Sequence, residues 1–273
     1  MRLCRTRFCL MRPAIHILVT IRKPELRDAA LLVFRTLRVG FPGSPVLVWG
    51  NGLTPAQQQD VAMVSRDLAK AHFITNLPLT SHDAWIEQLI NTQTDGFWIC
   101  DTDMVFFEPV TLPVAVKGFV GRYEPEFDEE WTGTRHVDRL HTCLMFINPT
   151  ALRQGIRHWQ ARIPSPWRDS AQFPLVRQHF IPVRAALNAQ PETLFYDTMA
   201  GLWHAGLGTP FTPDQDAAFE HLCCGTYADL VDAPSLANLR TVHQSVYSNP
   251  ERARGLKQAQ DTYYQERKYA KSL

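Results

Sequence analysis

Between Gly96 and Pro109 the chain reads GFWICDTDMVFFEP: apolar residues run straight into two carboxylates one position apart, and a second apolar run follows. A bulky apolar run this short reads as a strand buried on both faces, and such a strand avoids aspartate unless something pairs with the charge. Asp101 and Asp103 are therefore expected where the strand leaves the core. Alternate strand residues share a face, so the two carboxylates should project together while Thr102 points away. Converging carboxylates repel unless a cation lies between them. Hard divalent ions such as Mg²⁺ and Mn²⁺ prefer oxygen ligands and complete their shell with water and substrate phosphates. A metal-bound diphosphate is the ligand this pattern suggests.

The preceding residues narrow the fold. AIHILVTI (14–21) has the pattern of a buried strand, and Pro24 then opens an amphipathic stretch, LRDAALLVFRTLRVG, which reads as one helix closing at Gly40 and Pro42. PVLVWGNG (45–52) is a second strand ending in a turn signal. Thr54 and Pro55 are the expected cap and first residue of a helix through AQQQDVAMVSRDLAK. HFIT (72–75) is a weak third strand, Ser81 the expected cap of the helix HDAWIEQLINTQ, and GFWICDTDM the fourth strand. This alternation predicts an α/β fold of right-handed βαβ units: a mostly parallel, Rossmann-type sheet with helices on both faces, binding ligands beyond the carboxyl ends of its strands. The second half is less regular. KGFVGRY (117–123) and HTCLMFINP (141–149) read as strands separated by an acidic and aromatic loop, EPEFDEEWTGTRHVDR. A helix is expected from Pro149 to about Ala161, and the tail after Pro250 reads as a polar helix.

Charge removes some function classes. With 28 basic and 27 acidic side chains the formal net charge is +1, which gives no general attraction to nucleic acid or to an anionic membrane. No run reaches 18 apolar residues, so no transmembrane segment is expected. The six cysteines show no repeated C-x-x-C spacing and suggest a reducing compartment. The expectation is a cytoplasmic protein with residues 1–12 as a mobile leader.

Three βα units followed by WICDTDMVF resemble a GT-A-fold glycosyltransferase with its D-x-D motif, and RTLRVGFPGSPVLVWGNG is similar in flavour to the first βα unit of that superfamily. The resemblance covers roughly residues 14–150. It implies one catalytic domain over 13–248, with a nucleotide-binding half (13–110) and a less regular acceptor half (111–248), and a helical tail at 249–273. It further implies a metal-dependent glycosyltransferase using Mn²⁺ or Mg²⁺ and a nucleotide-diphosphate sugar of the UDP or GDP type, with an unknown acceptor. On this resemblance Asp101 meets the ribose or a metal-bound water, Asp103 chelates the metal, both count as metal residues, and Thr102 belongs to the donor site. A late histidine commonly supplies a third metal ligand: His221 in FEHLCCGTY is favoured over His204 in GLWHAGLG. The lysine-proline-tryptophan sequence that follows this histidine in some families is absent.

The other candidates each have a plain structural alternative. Thr20 and Arg22 follow the first strand, where the superfamily places base and ribose, yet they also read as loop residues, with Arg22 and Lys23 a solvated pair. Asn51 is a base contact or simply half of an Asn-Gly turn. His82 opens the helix before the D-x-D strand and is a donor contact; Asp83 beside it is also what a helix N-terminus favours, and Trp85 reads as core. Asp197 is the candidate base for an inverting transfer, or a cap for a helix beginning at Thr198. Asp138 and Glu130 are its rivals. Tyr123 and Trp131 are candidates to stack on a sugar, or surface aromatics, and Cys223 and Cys224 read as structural. Two other functions fit parts of the pattern: a haloacid-dehalogenase-type phosphohydrolase, whose motif normally sits on the first strand, and a non-catalytic nucleotide-sugar-binding protein. A nucleotidyltransferase would carry a glycine-rich phosphate loop, and TIRKPEL has no glycine.

Overall fold

Strand β1 (Ala14–Val19) sends Ile15, Ile17 and Val19 into one apolar cluster, while Leu18 packs against a second cluster on the opposite face. A period-2 strand that is apolar on both sides must be covered on both sides, and the computed structural model shows this. It describes residues 12–112, 116–129, 134–162, 175–183, 192–222 and 233–256. A 3₁₀ turn (Pro24–Leu26), α1 (Arg27–Leu31) and α2 (Val33–Gly40) lead to β2 (Val46–Asn51), α3 (Pro55–Ala69), β3 (His72–Leu77), α4 (His82–Thr92) and β4 (Phe97–Cys100). Thr54 caps α3 with Pro55 as its first residue, as the sequence suggests, and Gln57 completes a reciprocal capping box. Phe34, Leu37 and Val61 of α2 and α3 fill one cluster, and Trp85, Ile86, Leu89 and Ile90 of α4 fill the other.

After β4 come β5 (Met104–Phe106), β6 (Phe119–Glu124), β7 (Phe127–Glu129), β8 (Thr134–His136), β9 (Arg139–Ile147) and α5 (Pro149–Arg162). The described chain continues through β10 (His179–Val183), β11 (Glu192–Tyr196), α6 (Ala200–His204), β12 (Gly208–Pro210), α7 (Pro213–Ala217), β13 (Phe219–His221) and α8 (Ala233–Ser248). The main sheet has seven strands in the order β12-β6-β9-β4-β1-β2-β3. Only β9 runs against its neighbours β4 and β6, so the expected mostly parallel α/β sheet with helices on both faces is present. A four-stranded sheet (β10-β11-β8-β7) and the pair β13-β5 complete the fold. β7 and β8 occupy the stretch expected to be a loop. Among the described residues no helix is long and apolar enough to cross a membrane.

Two sequence expectations are corrected by hydrogen bonds. Asp101 and Asp103 are not on a strand: β4 ends at Cys100, and residues 101–103 form a turn into β5. Their convergence therefore comes from the turn and not from strand alternation. The single amphipathic helix of 26–40 is broken at Leu32, because the amide of Val33 donates to Thr102 O at 2.8 Å and Leu32 N bonds Ala29 O in a tighter turn. Thr36 Oγ1 in α2 accepts from Phe106 N at 2.9 Å, so α2 grips the aspartate turn at both ends. Gly40 makes the approach possible, since a Cβ there would lie 2.6 Å from the Phe106 ring. Thr36→Val keeps the shape but strands a buried amide, at a cost of about 1–3 kcal/mol; urea denaturation is expected to show a loss of that size.

Candidate functional site

The switch in strand order lies between β1 and β4, which pair in parallel while the chain departs to β2 on one side and β9 on the other. Ligands of open α/β sheets bind in the crevice beyond the carboxyl ends at such a point. Residues 101–103 leave β4 there, and residue 20 leaves β1 beside them. The register of β13 against β5 pairs His221 with Met104, and Leu222 N donates to Asp103 O at 3.1 Å. That pairing brings a late segment alongside the D-x-D turn.

The outcome is a three-residue cluster. His221 Nε2 lies 3.2 Å from Asp103 Oδ1 and 3.8 Å from Asp101 Oδ2, and one donor atom from each of the three falls within 4.8 Å of the others. Asp103 and His221 are buried, and the Asp101 side chain keeps 28% exposure. On Asp101, His82 Nε2 approaches Oδ1 at 3.7 Å while stacking on Trp85. Burial pushes the Asp101 carboxyl above its usual range; His82 opposes that, Asp103 adds to it, His221 opposes and Asp197 adds. Two hard carboxylates and one imidazole converging within 4.8 Å form a donor set suited to a divalent ion of the Mn²⁺ or Mg²⁺ kind.

The remaining candidates divide. His204, the alternative late histidine, sits at Asp138, with Nε2 3.3 Å from Oδ1, and Trp203 Nε1 donates to Asp138 Oδ2 at 2.9 Å. Asp138 is thus occupied by α6. Asp197 accepts from Thr198 N at 2.7 Å and pairs with Arg139 at 2.5 Å; Arg139 also pairs with Glu124 at 2.7 Å. Asp197 caps no helix at Thr198, because α6 begins at Ala200 after Met199, whose φ of 68° is a strained left-handed conformation. Asn51 spends both Nδ2 protons on Thr20 Oγ1 and Thr80 O and accepts from Thr80 N, at 2.8–3.0 Å throughout. It is 5% exposed, so the structural alternative describes it and a base contact has no free donor there. Thr20 is the partner in that clasp, and Arg22 is exposed. Asp83 accepts from Ala84 N and Gln178 N, Trp85 is core, and Tyr123 is half exposed against Trp203. Glu130, Trp131, Cys223, Cys224, the 1–11 leader and the tail from 257 lie outside the described residues. A cavity of about 400 Å³ between α4 and α5, lined by Glu87, Asn91, Arg153 and Arg157 among others, shares no residue with the cluster.

Sequence reasoning passed over His141 and Cys143. Opposite β6 the register jumps from Gly121↔Met145 to Arg122↔His141, so β9 bulges through residues 142–144. Bulges of this kind re-aim side chains beside sites. Here the bulge gathers His141, Cys143 and His221 within 4.8 Å and sets the His141 and His221 rings 5.0 Å apart. The i, i+2 spacing of H-T-C inside an apolar strand was the available signal. Arg122 was also missed. It pins the α7–β13 segment that delivers His221, bonding Asp216 at 2.5 Å and lying 4.5 Å over the Phe219 ring.

No protein-family model and no curated protein sequence matches the chain. Among solved structures it is similar to the bifunctional glycosyltransferase WbbM, at 6% identity and a TM-score of 0.37 over 53% of this chain and 33% of that one. The mannosyltransferase PcManGT of Pyrobaculum calidifontis, in complex with GDP-Man and Mn²⁺, aligns at 12% identity and a TM-score of 0.31 over 53% of this chain and 46% of that one. The galactosyltransferase LgtC, with donor and acceptor sugar analogues, aligns at 12% identity and a TM-score of 0.40 over 84% and 95%. The chain thus spans only about a third of the length of WbbM, and likenesses this remote establish no activity for it.

Proposed function

We propose that the protein is a metal-dependent glycosyltransferase that takes a sugar from a nucleoside diphosphate sugar. The observation that supports this reading best is the convergence of Asp101, Asp103 and His221 at the carboxyl end of β4, beside the switch in strand order. Asp101, Asp103 and His221 would hold Mn²⁺ or Mg²⁺. When bound there, the ion supplies Lewis-acid stabilisation of negative charge on a departing diphosphate. The protein's own groups supply the rest. His82, at the first turn of α4, lies 3.7 Å from Asp101, where the helix N-terminus favours an anion. Thr102 contributes its carbonyl to α2 and so fixes the turn before any ligand arrives. Asp197, held by Arg139 and the Thr198 amide, would be the acceptor-side base in this reading, its carboxylate taking the proton of an acceptor hydroxyl. In this scheme Asp138 does no chemistry and instead joins β9 to α6 through Trp203 and His204.

The test is incubation with Mn²⁺ and a panel of UDP- and GDP-sugars, with and without candidate sugar acceptors, reading nucleoside diphosphate release. Metal-dependent release from one donor is the expected result. Phosphate release from simple phosphomonoesters, with no release from any nucleotide sugar, would overturn the reading in favour of a phosphohydrolase.

A further inference from the structure

We propose that a soft divalent ion of the Zn²⁺ or Co²⁺ kind binds between His141, Cys143 and His221, and that it does so by taking His221 away from the Asp101 and Asp103 pair. This goes beyond the transferase reading and does not require it. Three donor atoms, two imidazole nitrogens and one sulfur, lie within 4.8 Å of one another, and His221 is common to this group and to the carboxylate cluster. Ligands around one tetrahedral ion stand roughly 3.5 Å apart at Zn–S and Zn–N distances of about 2.3 and 2.0 Å. Closing the group therefore asks for movements of about an ångström.

The donors sort the ions. Thiolate and imidazole select Zn²⁺ and its neighbours, whereas carboxylate oxygens suit Mg²⁺ and Mn²⁺. Cys143 is fully buried and His221 nearly so, so an ion held there would be shielded from competing water ligands. The Cys143 amide donates to His141 Nδ1 at 3.0 Å, which makes Nδ1 the nitrogen with the available lone pair in the ion-free protein. Coordination exchanges that hydrogen bond for a metal bond on the side where Cys143 lies, and the thiol proton leaves to solvent as the sulfur–metal bond forms. The β9 bulge aims both residues inward, and β13 carries the third ligand on its last residue. Both positions draw on the one neutral His221 ring, and two dications held on it a few ångströms apart would repel, so occupancy of the two positions is mutually exclusive. The soft ion would leave Asp101 and Asp103 as an incomplete set for Mn²⁺, and so act as an inhibitor at the site itself.

The test titrates the full-length protein with Co²⁺ and reads thiolate-to-cobalt charge-transfer absorption in the near ultraviolet, while Mn²⁺ binding is followed separately by electron paramagnetic resonance. A stoichiometric band bleached by Zn²⁺ is expected, together with release of bound Mn²⁺ as Zn²⁺ is added. Cys143→Ser should abolish the band and retain Mn²⁺ binding, Asp103→Asn should do the reverse, and His221→Ala should lose both. His141→Ala should weaken Co²⁺ binding about tenfold or more and stands in if Cys143→Ser does not fold, as judged by circular dichroism. Absence of the band, or a band that persists without Cys143, overturns the proposal. Zn²⁺ binding that leaves Mn²⁺ in place overturns the shared ligand. Failure of the wild-type protein to bind Mn²⁺ when no Co²⁺ or Zn²⁺ is present, with the cobalt band seen in its separate titration, would instead count against the transferase reading alone.

Discussion

Replacing Asp103 with asparagine is expected to lower metal-dependent donor turnover by roughly three orders of magnitude, the equivalent of about 4 kcal/mol of transition-state stabilisation. The substitution keeps the shape of the side chain and removes one negative charge from a buried donor 3.2 Å from His221. The backbone carbonyl of Asp103, which accepts from Leu222 N, is untouched, so β13 should remain docked and the far-ultraviolet circular dichroism unchanged. Asp101→Asn is expected to cost less, because Asp101 lies at the open edge and is shared with His82. The pair of variants is informative by its order: comparable kcat/KM for both Asp103→Asn and wild type, with the metal requirement intact, would remove Asp103 from the metal site.

The second large effect concerns stability. His16 lies inside β1 at 1% exposure, with Trp49 Nε1 donating to its Nδ1 at 3.2 Å and the Phe97 ring edge-on. The neutral ring therefore carries its proton on Nε2, which is buried without a partner. Burial pushes this imidazole down from 6.5 to about 4. The unfolded chain takes up a proton near pH 6.5, and the folded chain cannot until about pH 4. Its contribution is complete above pH 6.5 and is lost progressively as pH falls toward 4, amounting to roughly 3 kcal/mol. His16→Leu should be less stable at pH 7.5, because the Trp49 N–H loses its acceptor at about 1–3 kcal/mol. It should also lose about 3 kcal/mol less than wild type between pH 7.5 and 4. Urea denaturation of both proteins at the two pH values measures this. Parallel pH profiles would show that His16 is protonated inside the fold.

Local pattern carried the first half of the molecule. The strands at 14–19, 46–51 and 97–100 were legible because each is apolar on both faces, and α3 because Thr54 and Pro55 write a cap and first residue in consecutive letters. The break at Leu32 was not legible, because its cause, the carbonyl of Thr102, is supplied by a distant turn. The same applies to β8, which the distant β11 pairs on one side while β7 pairs it on the other. In the site, Asp101 and Asp103 announce themselves by spacing alone. The sequence favours His221 over His204, although each is a histidine near a glycine. They separate in the fold because β13 pairs with β5, whereas α6 turns His204 onto Asp138.

The amino-acid sequence by itself determined the alternation of strands and helices, the two-sided burial of the central strands and the presence of a carboxylate pair at a strand exit, since each follows from hydrophobic period and charge over a few residues. Tertiary structure alone decided which histidine joins that pair, that Trp203 and His204 claim Asp138 while Arg139 orients Asp197, and that His141 and Cys143 come to stand beside His221. Those outcomes depend on strand register and bulge position between segments far apart in the chain, and no local periodicity encodes them.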